Sequence, residues 1–198
     1  LRVGTYLQGW ALVEQAGTWE QRETGLMQIR EGMAAADAAG TKLYGPLLLG
    51  ALARGYAQGG EAEEGLKAIA EALAAVNRTE ERWWEAELYR IKGQLTLEAG
   101  DWRLETSSLS PQTPSLKPLV SGKVPREAEG CFQKAIEIAQ KQQAKSLELR
   151  AAMSLARLWQ SQGKRAEAHK LLSDVYNWFT EGFDTKDLQE AKALLDHF

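Results

Sequence analysis

Residues 51–76 read ALARGYAQGGEAEEGLKAIAEALAAV, and the spacing within this stretch decides the fold. Leu66, Ile69, Ala70, Leu73 and Val76 fall on one stripe of a helix with about 3.6 residues per turn. Gly59 and Gly60 stand immediately before it, where a helix end favours a residue that tolerates left-handed backbone. Glu61, Glu63 and Glu64 follow the glycines, and acids in a first turn complement the positive end of the helix dipole. The stretch therefore predicts the end of one helix, a tight turn and a second helix folding back on the first.

Working outward, the same grammar recurs. Breaks fall at Gly17, Gly40, Gly59–Gly60, Asn77–Arg78, Gly100, Gln162–Gly163 and Gly182. They predict nine helices, at about 2–16, 18–38, 42–58, 61–76, 80–99, 125–142, 144–162, 164–180 and 185–197. Gly17 to Gly60 spans 43 residues and Gly60 to Gly100 spans 40. Gly100 to Gly163 spans 63, but Pro111, Pro114, Pro118 and Pro125 mark a Pro/Ser-rich interruption at 101–124. No helix is expected from about Trp102 to Val124. Without it the period returns to about 40, which in an all-helical chain means stacked helix pairs sharing one core. The apolar content of the interruption (Leu104, Leu109, Leu116, Leu119, Val120) points to packing on the array's surface, beside the preferred alternative of a tolerated insertion.

Small and large residues alternate at fixed places in these pairs. They are Gly9, Leu12 or Val13, Gly17, Gly25, Ile29 and Gly32 in the first; Ala53, Tyr56, Gly60, Gly65, Ile69 and Ala72 in the second; Gly93, Leu97, Gly100, Ala128, Phe132 and Ala135 in the third; and Ala156, Trp159, Gly163, Ala168, Leu172 and Val175 in the fourth. Small residues let helices approach and large ones fill the facing gaps. The pattern resembles the tetratricopeptide repeat (TPR), although the period exceeds the usual 34 residues or so. The resemblance implies an all-α, right-handed α-solenoid of antiparallel helix pairs, about four plus a C-terminal capping helix, forming a single domain over 1–198. A narrower resemblance rests on residues 81–93 (ERWWEAELYRIKG), 143–152 (QAKSLELRAA) and 178–184 (WFTEGFD). These look like the C-terminal TPR region of bacterial multidomain signalling proteins, which follows a nucleotide cyclase or kinase domain and a large ATPase domain. That likeness implies a regulatory or scaffolding tail in the cytoplasm. The chain starts at Leu1 without an initiator Met, in keeping with a piece of something longer.

Composition argues against several other functions. With 24 basic and 27 acidic residues the net charge is −3, and neither half is basic enough to point to nucleic acid. No apolar run approaches the roughly 20 residues of a membrane span. Gly59–Gly65 contains no lysine, and the residues around Lys123 lack the upstream glycine of a phosphate-binding loop. His169 and His197 sit on different helices without a nearby cysteine, so no metal is expected, and His169 is expected at an exposed edge. Cys131, the single cysteine, reads as a half-buried thiol and not a nucleophile. No catalytic residue and no cofactor is expected, and the chain does not read as an enzyme.

What remains is binding. If the first helix of each pair lines a concave groove, its candidates are Trp10, Glu14, Arg54, Gln58, Arg90, Gln94, Arg150, Arg157 and Gln160. Four arginines among them point to an acidic or carboxylate-bearing partner segment, because a guanidinium grips a carboxylate through two hydrogen bonds. The bland alternative is that they pair with Glu87, Glu98 and Glu148. The expected partner is a protein or peptide segment, or other domains of the same polypeptide, with self-association compatible. A small-ligand-sensing array is the competing reading, and an enclosed pocket with converging polar groups would favour it. Among the tryptophans, Trp159 is expected in the core and Trp178 against the terminal helix. The adjacent Trp83 and Trp84 cannot both be buried by one helix face.

Overall fold

The computed structural model describes residues 3–15, 17–38, 44–108 and 122–198, with backbone alone for Val3, Asp37 and 101–108. Among the described residues there are nine helices and no strand. They are α1 (Val3–Gln15), α2 (Trp19–Ala38), α3 (Gly45–Gln58), α4 (Ala62–Thr79), α5 (Glu85–Ser108), α6 (Lys123–Lys141), α7 (Lys145–Ser161), α8 (Arg165–Tyr176) and α9 (Lys186–Leu195). The chain divides into two compact units, Leu1–Ile91 and Lys92–Phe198, and the division falls inside α5.

In the first unit α1 packs on α2, α3 on α4, and α3 touches both helices of the preceding pair. Close approach explains the glycines. A Cβ on Gly9 would lie 2.7 Å from the Gly25 carbonyl oxygen and 2.9 Å from the Ile29 nitrogen, so α1 and α2 meet almost backbone to backbone. A Cβ on Gly55 would lie 2.6 Å from Leu26 Cδ2, the side chain that seats α3 on α2. Val13, Leu26, Ile29, Ala53, Ile69 and Ala72 are buried around these contacts. Burying a Leu- or Ile-sized side chain contributes about 1.5–3 kcal/mol, so this interlock is the main source of each pair's stability.

The second unit repeats the device. Phe132 of α6 is buried and fits the space left by Gly93, where a Cβ would sit 2.5 Å from its Cε1. Here α6 packs on α7, α7 on α8, and α9 touches both α7 and α8. Ala128, Ala135, Ala156, Ala168 and Leu172 are all fully buried.

Three of the turns are built alike. Gly60, Gln143 and Gly163 have φ of 75°, 55° and 80°. Each residue donates its N–H three residues back, to Ala57, Gln140 and Gln160. The residue after each donates five back, to Tyr56, Ala139 and Trp159. This paired bonding is the Schellman end, which satisfies carbonyls the helix leaves open. With only three residues between helices, the chain must reverse. The α2 start is capped by Thr18, whose Oγ1 accepts from the Gln21 N–H, while Gln21 Oε1 accepts from the Gly17 N–H.

Several expectations need correction. Gly100 does not end a helix, since α5 continues to Ser108. Gly100 instead makes room for α6, where a Cβ would lie 2.5 Å from Val124 Cγ1. Proline, the residue that halts a helix, first comes at 111. The expected surface packing of the interruption falls largely on residues 109–121, outside the described residues. α4 runs past Asn77 to Thr79 and ends at Glu80, left-handed with φ 60°. α5 therefore starts at Glu85, and Trp83 and Trp84 occupy the turn before it. α8 stops at Tyr176, leaving Trp178 and Phe179 in the connection to α9.

Candidate functional site

The structure gathers four of the sequence-predicted residues into one polar network in the first unit. Trp10 and Glu14 lie one turn apart on α1, and the Trp10 Nε1 donates to Glu14 Oε1 at 3.1 Å. Glu14 Oε2 lies 2.8 Å from Arg54 Nη2 of α3. Arg54 Nη1 is 4.0 Å from Glu87 Oε1 of α5. Glu87 then accepts two hydrogen bonds from Arg90, 2.8 Å from Nε and 2.6 Å from Nη2. The network thus crosses the first helices of three successive pairs. Its exposure is graded: the Glu87 side chain is 1 % exposed, Arg90 11 %, Arg54 33 % and Glu14 29 %. A carboxylate as buried as Glu87 is tolerated because paired guanidinium groups replace its water. Gln58, at the end of α3, is exposed.

In the second unit the candidates point at the chain's own last helix. Arg150 Nε donates to Asp187 Oδ2 at 2.6 Å, and Arg157 Nη2 to Glu190 Oε2 at 3.3 Å. Both acids are on α9 and both arginines on α7. The pairs follow the same order along each helix, so α9 lies alongside α7 in parallel. Gln94 and Gln160 are half-buried on α5 and α7.

All four predicted arginines therefore hold carboxylates of this chain. Of the three acids named as possible internal partners, Glu87 is one in fact. Glu148 instead accepts from Lys145 at 2.7 Å and Gln140 at 2.9 Å. Asp187 and Glu190 were missed. The available signal was their i, i+3 spacing with Leu188 and Ala191 on an amphipathic helix, opposite Arg150 and Arg157 two turns apart.

Aromatic residues distribute unevenly. Trp159 is half-buried, held by its Nε1 donating to Glu129 Oε1 at 2.9 Å. Trp178 is 58 % exposed, stacked edge-on against Phe179 with the Lys145 ammonium over its ring, contrary to the expectation that it packs the terminal helix. Trp83 is 48 % exposed, between Tyr44 and the half-buried Trp84. His169 is exposed, edge-on to Phe198. Burial pushes the half-buried Cys131 thiol above its ordinary pKa, with Glu127 adding to the shift and Lys92 opposing it. Such a thiol carries little thiolate at neutral pH.

A hollow of about 520 Å³ beside α1 and α2 is lined by Thr5, Glu31, Gly32, Ala34, Ala35 and Ala38. One carboxylate, one hydroxyl and four small apolar residues do not form a converging polar set. Among the described residues no three His, Cys, Asp or Glu side chains come together as a metal group. Among them, too, no helix is long and apolar enough to cross a membrane. In comparison with known proteins, no family model and no curated protein sequence matches this chain.

Proposed function

We propose that the chain is a tetratricopeptide-type array, a right-handed solenoid that binds a protein or peptide segment, and that it serves as a cytoplasmic regulatory or scaffolding tail of a bacterial signalling protein. The observation that carries the binding reading is the polar network from Trp10 to Arg90, which brings side chains of three successive first helices onto one continuous strip. A protein organised only for stability gains little by crossing helices with charge, because ion pairs that are a third exposed contribute about 0–1 kcal/mol. The same strip offers a partner both a guanidinium and an indole, the groups that most often anchor protein interfaces. The signalling context rests on the likeness of residues 81–93, 143–152 and 178–184 alone.

An acidic partner must compete with Glu14 and Glu87 for Arg54, so recognition is an exchange of carboxylates and not the filling of an empty charge. Selection of a displayed peptide library against the whole chain tests this. Enriched segments are expected to be acidic and to lose at least ten-fold in affinity for Trp10→Ala and for Arg54→Glu. Binding that ignores these changes, in variants retaining the parent's circular dichroism, refutes the assignment.

A further inference from the structure

We infer that the face of α7 and α8 covered by α9 is a docking site for an acidic amphipathic helix of a partner protein, and that α9 is the chain's own replaceable occupant. This rests on the array reading above and names one subsite of it.

α3 and α9, each touching both helices of a preceding pair, differ in commitment. α3, packed on α4 as well as on α1 and α2, is buried continuously from Pro46 to Ala53 and again at Gly55. α9, seated on α7 and α8, buries only Leu188 and Ala191. Leu194, Leu195 and Phe198 are half-covered. What positions α9 beyond that is charge, and the charge is accessible: the Arg150–Asp187 side chains are 35 % and 30 % exposed, and the Arg157–Glu190 side chains 48 % and 43 %. Helices with few buried contacts and solvent-exposed ion pairs open at the low end of a protein's local stabilities. The connection 177–185 separates α8 from α9, long enough for α9 to leave without unwinding α8.

The geometry also states what fits. Asp187 and Glu190 meet Arg150 and Arg157, while Leu188 and Ala191 are buried. A competing helix therefore needs acids at positions one and four, a leucine-sized residue at two and a small one at five. A basic or neutral helix would replace neither the Asp187 carboxylate at Arg150 nor the Glu190 carboxylate at Arg157, and is rejected on that ground. On the outer face of α9, Lys186, Gln189, Lys192 and Ala193 are exposed.

The probe is a fluorescein-labelled synthetic peptide of residues 183–198, titrated by anisotropy into the full chain. The unaltered chain binds it weakly, because α9 already fills the site. Asp187→Lys with Glu190→Lys in the full chain loosens α9 and is expected to tighten peptide binding at least ten-fold. Adding Arg150→Glu and Arg157→Glu restores opposite charges across the contact and returns binding to the weak level. A peptide with its own two acids changed to lysine does not bind the loosened chain. On the unaltered protein, amides of α9 are expected to exchange with solvent at least 100-fold faster than those of α7. Equal peptide affinity for the unaltered and loosened chains overturns the proposal, as does equal protection of α9 and α7. Exchange of α9 between two copies, seen as a dimer that refuses the peptide, overturns the assignment to a partner protein. None of these outcomes touches the library experiment on Trp10 and Arg54, so failure here is separable from failure of the array reading.

Discussion

Glu87 offers the sharpest test of how the polar network is held. Its side chain is 1 % exposed, receives two hydrogen bonds from Arg90 and lies 4.0 Å from Arg54. Glu87→Ala removes the carboxylate and strands Arg90, whose side chain is 11 % exposed. Breaking a buried pair on one side costs about 3–5 kcal/mol, because the remaining charge stays desolvated. Arg54 adds under about 1 kcal/mol, since it is a third exposed and keeps Glu14 at 2.8 Å. The lower part of the range, about 3–4 kcal/mol, is therefore expected. With a urea slope of about 2.5 kcal/mol/M, the unfolding midpoint should fall by about 1.2–1.6 M. Circular dichroism in a urea titration reads this directly. Replacing both partners, Glu87→Leu with Arg90→Met, should bring the stability back to within about 1 kcal/mol of the parent, because Arg90 is then no longer a stranded charge. A cost under about 1 kcal/mol for Glu87→Ala, or a double variant as unstable as the single one, would show that burial and pairing do not govern this site.

Three further outcomes follow from local geometry. Gly9→Ala should lower stability by about 1–2 kcal/mol, as overpacking against the backbone of α2 outweighs the gain in helix propensity; Gly130→Ala, with open space around its Cβ, should raise it by about 0.5–1 kcal/mol, both read by thermal melting. Gln143→Gly should stabilise by about 1 kcal/mol and Gly163→Ala destabilise by a similar amount, since both positions hold left-handed backbone; urea midpoints moving in the same direction for both would contradict this. Alkylation of Cys131 by iodoacetamide at pH 8 should run slower than that of a free cysteine and accelerate as pH rises past the ordinary thiol range, because its raised pKa keeps it protonated; mass spectrometry of quenched samples showing free-cysteine rates would refute it.

The helix pairs were legible because their signals are local. Gly60 and Gly163 mark turns through the backbone they permit, and the buried positions Ile69, Ala72, Phe132, Ala135, Ala168 and Leu172 fall on the expected helix faces. Gly100 misled because a glycine that admits a neighbouring helix looks in sequence like one that ends its own. The turn at Gln143 carried no glycine at all. Trp178 was placed wrongly because α8 ends one turn early, moving the indole from a helix face to an exposed connection.

The sequence by itself determined an all-helical chain of paired helices, since periodicity, propensity and turn residues act over a few neighbours. It also narrowed the candidate surface to the first helices, because packing positions imply which face is left over. Only the tertiary structure decided where the charges go. Glu14 meets Arg54 across 40 residues, and Arg150 meets Asp187 across 37. An arginine on an open helix face looks the same in sequence whether it awaits a partner or grips the chain's own carboxylate. The difference is set by how successive helices pack, which brings distant residues within hydrogen-bonding distance.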